Sequence, residues 1–109
     1  MSKSLDDIQK EVDDWIGQFE VGYFEPLCQM ACLTEEVGEV ARIFNHMYGQ
    51  KKKKETENLV ELEEELGDVL YSVICMANHH KINLTQAFNK KMDKINSRDM
   101  KRWKLKDNK

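Results

Sequence analysis

Four stretches of the chain repeat apolar residues at the three- and four-residue spacing of a helix face, and polar segments divide them. The first runs from about Ser4 to Glu20, with Leu5, Ile8, Val12, Trp15, Ile16 and Phe19 as its stripe. Ser4, followed by Asp6 and Asp7, predicts an N-cap with acids in the first turn. Gly22 predicts the end of this helical region. The second stretch runs from about Pro26, suited to a first helical turn, to Tyr48. Its stripe is Leu27, Met30, Leu33, Val37, Val40, Ala41 and Phe44. Residues 49–58, GQKKKKETEN, read as a linker in which Lys51 to Lys54 stay solvated. The third stretch, about Thr56 to His80, carries Leu59, Leu62, Leu66, Val69, Leu70, Val73, Ile74 and Ala77. The fourth opens at Asn83, an N-cap with Gln86 three residues on, and carries Leu84, Ala87, Phe88, Met92 and Ile95. Strand alternation is missing. The expected fold is all-α, a four-helix bundle in a single domain of residues 1–109, with a core of about 4–96 and a basic tail, 97–109, that frays.

Two of these helices carry the same six-residue phrase, EEVGEV at 35–40 and EELGDV at 64–69. Each sets two acids three residues apart, hence on one helix face: Glu36 with Glu39, and Glu65 with Asp68. Glu35 with Glu39, and Glu64 with Asp68, add like charges four apart, which disfavour a helix. Lys and Arg are absent from Pro26 to Ala41 and from Glu55 to His80. Leu33 and Val40 flank Glu36, and Leu62 and Val69 flank Glu65, so both glutamates border a core-facing stripe. A half-buried carboxylate neutralises or finds a cation. If the two helices pack, four acids converge, and a hard divalent cation such as magnesium relieves them. The bland alternative is a solvated acidic face. Two matching copies weigh against it, as do Gly38 and Gly67, which predict a close approach of backbones.

Charge sharpens this picture. The net charge is −3, but residues 1–80 hold 7 basic and 17 acidic side chains, a balance of −10. Residues 81–109 hold 10 basic and 3 acidic, a balance of +7. The lysine-rich last helix, with Lys90, Lys91 and Lys94, can meet phosphates at the chain's own acidic site or at a neighbour's. Three cysteines, Cys28, Cys32 and Cys75, form no paired framework and read as buried reduced thiols. No run approaches the ~20 apolar residues of a membrane span, and the N-terminus has no hydrophobic signal core, so the expected location is cytoplasmic. A short chain with long stripes is expected to self-associate.

Convergent carboxylates on magnesium, with lysines near, suit attack of water on a polyphosphate. A further acid, Glu35 or Glu64, is placed to orient or deprotonate that water. A di-iron bundle needs Glu three residues before His, and Ile43, Met76 and Ala77 stand before His46, His79 and His80 instead. A reading of another class is a non-catalytic helical interaction module whose basic tail binds a partner or nucleic acid.

Glu35-Glu36-Val37-Gly38-Glu39, a spacer of 25 residues and Glu65-Leu66-Gly67-Asp68 resemble the EExxE…ExxD pattern of MazG-like nucleoside triphosphate pyrophosphohydrolases. The likeness extends from LTEEVGEVARIFNHMYG to KKMDKINSRD, about two-thirds of the chain. The resemblance implies a homo-oligomer, dimer or tetramer, that cleaves a nucleotide, a deoxynucleotide by preference, between its α and β phosphates. It implies Glu36, Glu39, Glu65 and Asp68 as ligands of magnesium, with manganese as a substitute, and Glu35 as a catalytic supporting acid beside Glu36. It implies Asn96 and Arg98, with Lys91 or Lys94, as phosphate contacts. For the base pocket it points to the region of His46; Trp15, first of all a core residue, is the other candidate.

Overall fold

The computed structural model of the chain describes residues 2–50 and 59–106. The Lys51–Lys54 run and the start of the third helix at Thr56 lie outside the described residues. Four helices follow in order: α1 (Leu5–Gly17), α2 (Pro26–Tyr48), α3 (Leu59–His79) and α4 (Leu84–Asp99). Among the described residues there is no strand.

Local chemistry explains the helix ends. The Ser4 hydroxyl accepts from the Asp7 N–H at 3.1 Å, and the Asp7 carboxylate accepts from the Ser4 N–H at 3.0 Å, a closed capping box. Pro26 opens α2. The Asn83 side chain accepts from Gln86 N–H at 2.8 Å and starts α4. At the end of α3, Lys81 adopts a left-handed φ of 59°. This lets Ile82 N–H reach the Ala77 carbonyl at 2.8 Å and Lys81 N–H reach that of Asn78 at 3.1 Å, a Schellman closure built without glycine.

α2 and α3 pack as an antiparallel pair, with α1 against α3 and α4 against α1. A polar clasp ties α1 to the α3–α4 junction. The Gln9 side chain donates to Asn78 Oδ1 at 2.8 Å and to the Ile82 carbonyl at 2.9 Å, and accepts from Leu84 N–H at 2.8 Å. Asn78 in turn donates to the Gln9 carbonyl and to the Tyr23 hydroxyl, and Tyr23 donates to Asp13 at 2.7 Å. The connection between α1 and α2 is thereby held against α3.

Among the described residues the buried apolar core is small: Val12, Ile43, Ile74 and Ala77. Much of the predicted stripe is open instead. Trp15 and Phe19 are about half exposed, and Leu27, Val37, Phe44, Leu66 and Leu70 are exposed as well. Periodicity marks the apolar face, but one chain lacks the mass to cover it. The shape agrees: the radius of gyration is 17.9 Å, where a compact chain of this length has about 13 Å. Two further expectations are corrected. A Cβ built on Gly38 or Gly67 would meet nothing within 4 Å, so among the described residues of the chain no neighbouring backbone approaches either. Of the cysteines, Cys28 is exposed, while Cys32 and Cys75 are partly covered.

Candidate active site

The antiparallel register of α2 and α3 brings the two acidic phrases together. One oxygen from each of Glu36, Glu65 and Asp68 lies within 4.8 Å of the others. Glu36 and Glu65 are half-buried and Asp68 is exposed. Burial pushes the Glu36 carboxyl above its ordinary range, and the charges of Asp68, Glu35 and Glu39 push it further. Burial likewise raises Glu65, with Asp68, Glu39 and Glu36 adding to it and Arg42 opposing. Glu39, the fourth expected ligand, turns to Arg42, whose Nη2 lies 3.0 Å from its Oε2. Glu35 and Glu64 are exposed.

Beside the acids lies an apolar cavity of about 370 Å³. The end of α1 and the connection after it give Ile16, Phe19, Val21, Tyr23 and Phe24; α2 gives Gln29, Cys32 and Glu36; α3 gives Tyr71, Ser72 and Cys75. Gln29 is 6% exposed and fixed by His79 Nδ1 at 3.1 Å, and its amide donates to the Cys75 carbonyl at 3.4 Å. The His79 ring stacks on Tyr23 with centroids 5.7 Å apart. Burial pushes both cavity thiols up, that of Cys32 with help from Cys28. Both are therefore protonated at neutral pH, and neither is a ready nucleophile.

The other candidates fall elsewhere in the chain. His46 is buried at 5% exposure and does not line this cavity. Trp15 stands beside it, edge-on to Phe19 at 5.1 Å, without lining it. Lys91, Asn96 and Arg98 border a different groove at the end of α4, together with Met100, Trp103 and Leu105. Lys94 is exposed on the same helix. Within one chain, then, the acids and the basic groups occupy separate concavities. Sequence periodicity misses the cavity because residues 21–25, which give it Val21, Tyr23 and Phe24, have none. Arg42 is signalled by its three-residue spacing from Glu39.

The profile of the MazG nucleotide pyrophosphohydrolase domain matches residues 24–103. The chain belongs to the MazG family. The Bacillus subtilis protein YpjD is 53% identical over 105 residues, 96% of this chain and 95% of YpjD. The YpjD structure aligns with a TM-score of 0.82 at 53% identity, over 88% of this chain and 98% of that one. The crystal structure of the Bacillus-conserved MazG protein, a nucleotide pyrophosphohydrolase, aligns with a TM-score of 0.77 at 53% identity, over 90% and 95%. As a MazG member, this chain is an all-helical nucleotide pyrophosphohydrolase, a hydrolase. No helix among its described residues is long and apolar enough to cross a membrane.

MazG enzymes are generally divalent-metal dependent, and the side chains here fit such an ion. The donors are all carboxylate oxygens, the set a hard cation takes. Neighbouring oxygens around magnesium stand about 3 Å apart and opposed ones about 4 Å, so oxygens within 4.8 Å of one another must draw together to share one ion. Two of the three carboxyls also carry an ionisation cost that a cation would remove.

Proposed function

We propose that the chain hydrolyses a nucleoside triphosphate, preferentially a deoxynucleotide, between the α and β phosphates, releasing the nucleoside monophosphate and pyrophosphate. Magnesium is the resident cation of this reading and manganese its substitute. One observation carries it: Glu36, Glu65 and Asp68, from two helices, meet at the rim of an apolar cavity that Glu36 itself lines. These three and Glu39 would hold the cation, which supplies charge neutralisation and a more acidic water. Glu35, exposed next to Glu36, orients the attacking water and takes its proton. The anhydride bond then breaks, with its electron pair leaving on the pyrophosphate. The apolar cavity takes the base: Phe19, Tyr23 and Phe24 offer ring contact and Gln29 a polar edge.

The phosphate contacts are Asn96 and Arg98 with Lys91 or Lys94. None of the four lines the cavity of their own chain. In this reading self-association, through the exposed apolar faces of α2 and α3, brings α4 of a second copy to the acids. The domain comprises the whole chain, and its setting is the cytoplasm.

The test is pyrophosphate release from a panel of ribo- and deoxynucleoside triphosphates, with magnesium and with chelator. Magnesium-dependent pyrophosphate with matching monophosphate, greatest for a deoxynucleotide, is the expected result. Release of orthophosphate, or equal rates in chelator, would overturn the reading.

A further inference from the structure

Glu39 stands apart from the other acids, although it lies one helical turn from Glu36 and close enough to Glu65 for its charge to be felt there. What holds it is Arg42, from the next turn of α2. Both Nε and Nη2 donate to the same oxygen, Oε2, at 3.1 and 3.0 Å. The pair is half exposed, at 37% for the arginine side chain and 48% for the glutamate. Three features make this contact more than decoration. The partners are three apart on one rigid helix, so it forms with little reorganisation. Guanidinium keeps its charge at every working pH, so the contact does not switch off by titration of the arginine. Its exposure keeps it weak, so a divalent cation can displace it.

We propose that Arg42 is an internal counter-ion, which holds Glu39 aside in the cation-free chain and releases it to an entering divalent cation. This rests on reading Glu36, Glu39, Glu65 and Asp68 as the cation's ligands. Arg42 has two effects. Its charge tempers the repulsion among the acids of the empty site, where Glu65 feels it directly. Its grip on Glu39 competes with the cation, so affinity is held below what four acids would otherwise give. Arg42 is thus a positioning residue, acting on the cation through Glu39.

The experiment is Mn²⁺ titration by calorimetry, without nucleotide, on the parent chain, Arg42→Gln, Glu39→Gln and the double variant. Helicity of each is checked by circular dichroism. Arg42→Gln is expected to tighten Mn²⁺ binding about two- to fivefold, the scale of a half-exposed ion pair. In the Glu39→Gln background the same change should gain clearly less, because there is no carboxylate left to release. Arg42→Lys keeps the charge but loses the two-pronged grip, and should fall between parent and Arg42→Gln. Unchanged or weaker binding by Arg42→Gln overturns the proposal. So does an equal gain in both backgrounds, which would be charge alone. Failure of the underlying site is seen separately, as equal Mn²⁺ binding by the parent and Glu36→Gln.

Discussion

Glu36 bears two costs at once, partial burial and three like charges around it. Its carboxyl is raised in the folded chain. Its contribution to stability is therefore fully present below the ordinary glutamate value and lost as the pH rises through the raised one. At neutral pH the ionised group works against the fold. Glu36→Gln in chelator is predicted to melt above the parent, while Mn²⁺ no longer raises its melting temperature. Activity should fall about a hundredfold or more. A melting temperature that falls in chelator would show that the charge is not a burden. Tyr23 gives a prediction of the same sign at the other end of the scale. Burial, with Asp13 accepting a hydrogen bond from its hydroxyl, raises its phenol from 10.0 to about 12. Folded stability from this group is complete below pH 10 and is lost as the pH climbs toward 12. Tyrosinate absorbance and helicity, followed together in an alkaline titration, check it. Tyr23→Phe should remove that share of the alkaline loss.

Elements were legible in the sequence wherever their starts depend on local chemistry. The Ser4 cap, Pro26 at the first helical position and the Asn83 cap are of this kind, and the helices begin where they predict. The closure of α3 was harder to read because a lysine takes a position that glycine usually fills. Lys81→Gly is predicted to stabilise the chain by about 1 kcal/mol, since left-handed backbone costs other residues roughly that much. A higher urea midpoint with unchanged slope would show it. The Gln9–Asn78 clasp was invisible beforehand, as its partners lie 69 residues apart. Gln9→Ala leaves the Asn78 amide oxygen and the Leu84 N–H without this partner, and is expected to cost about 1–3 kcal/mol by the same assay. Candidate acids were readable from spacing, whereas their meeting depends on the register between α2 and α3. That register is a matter of packing, and so is the cavity wall built by the connection after α1.

At the scale of the molecule, one chain exposes 9294 Å², where a compact protein of this size exposes about 6,300 Å². The excess fits the open stripes of α2 and α3 and the separation of acids from basic groups. If α4 serves a neighbour's site, two damaged chains can repair each other. Glu36→Gln mixed with Arg98→Ala, refolded together, is predicted to recover part of the activity that each lacks alone. Absence of recovery in a mixed oligomer, shown by differently tagged chains, would place both groups in one subunit's service.

If α4 does serve a second copy, the division of charge between the two ends of the chain has a kinetic consequence. An enzyme whose site needs two copies has a turnover per chain that depends on abundance. Diluted below the dissociation constant of the pair, it should idle, and its rate should rise with the square of its own concentration before becoming linear. Such a chain is dormant when scarce, and a modest change in its synthesis would act as a threshold on nucleotide turnover.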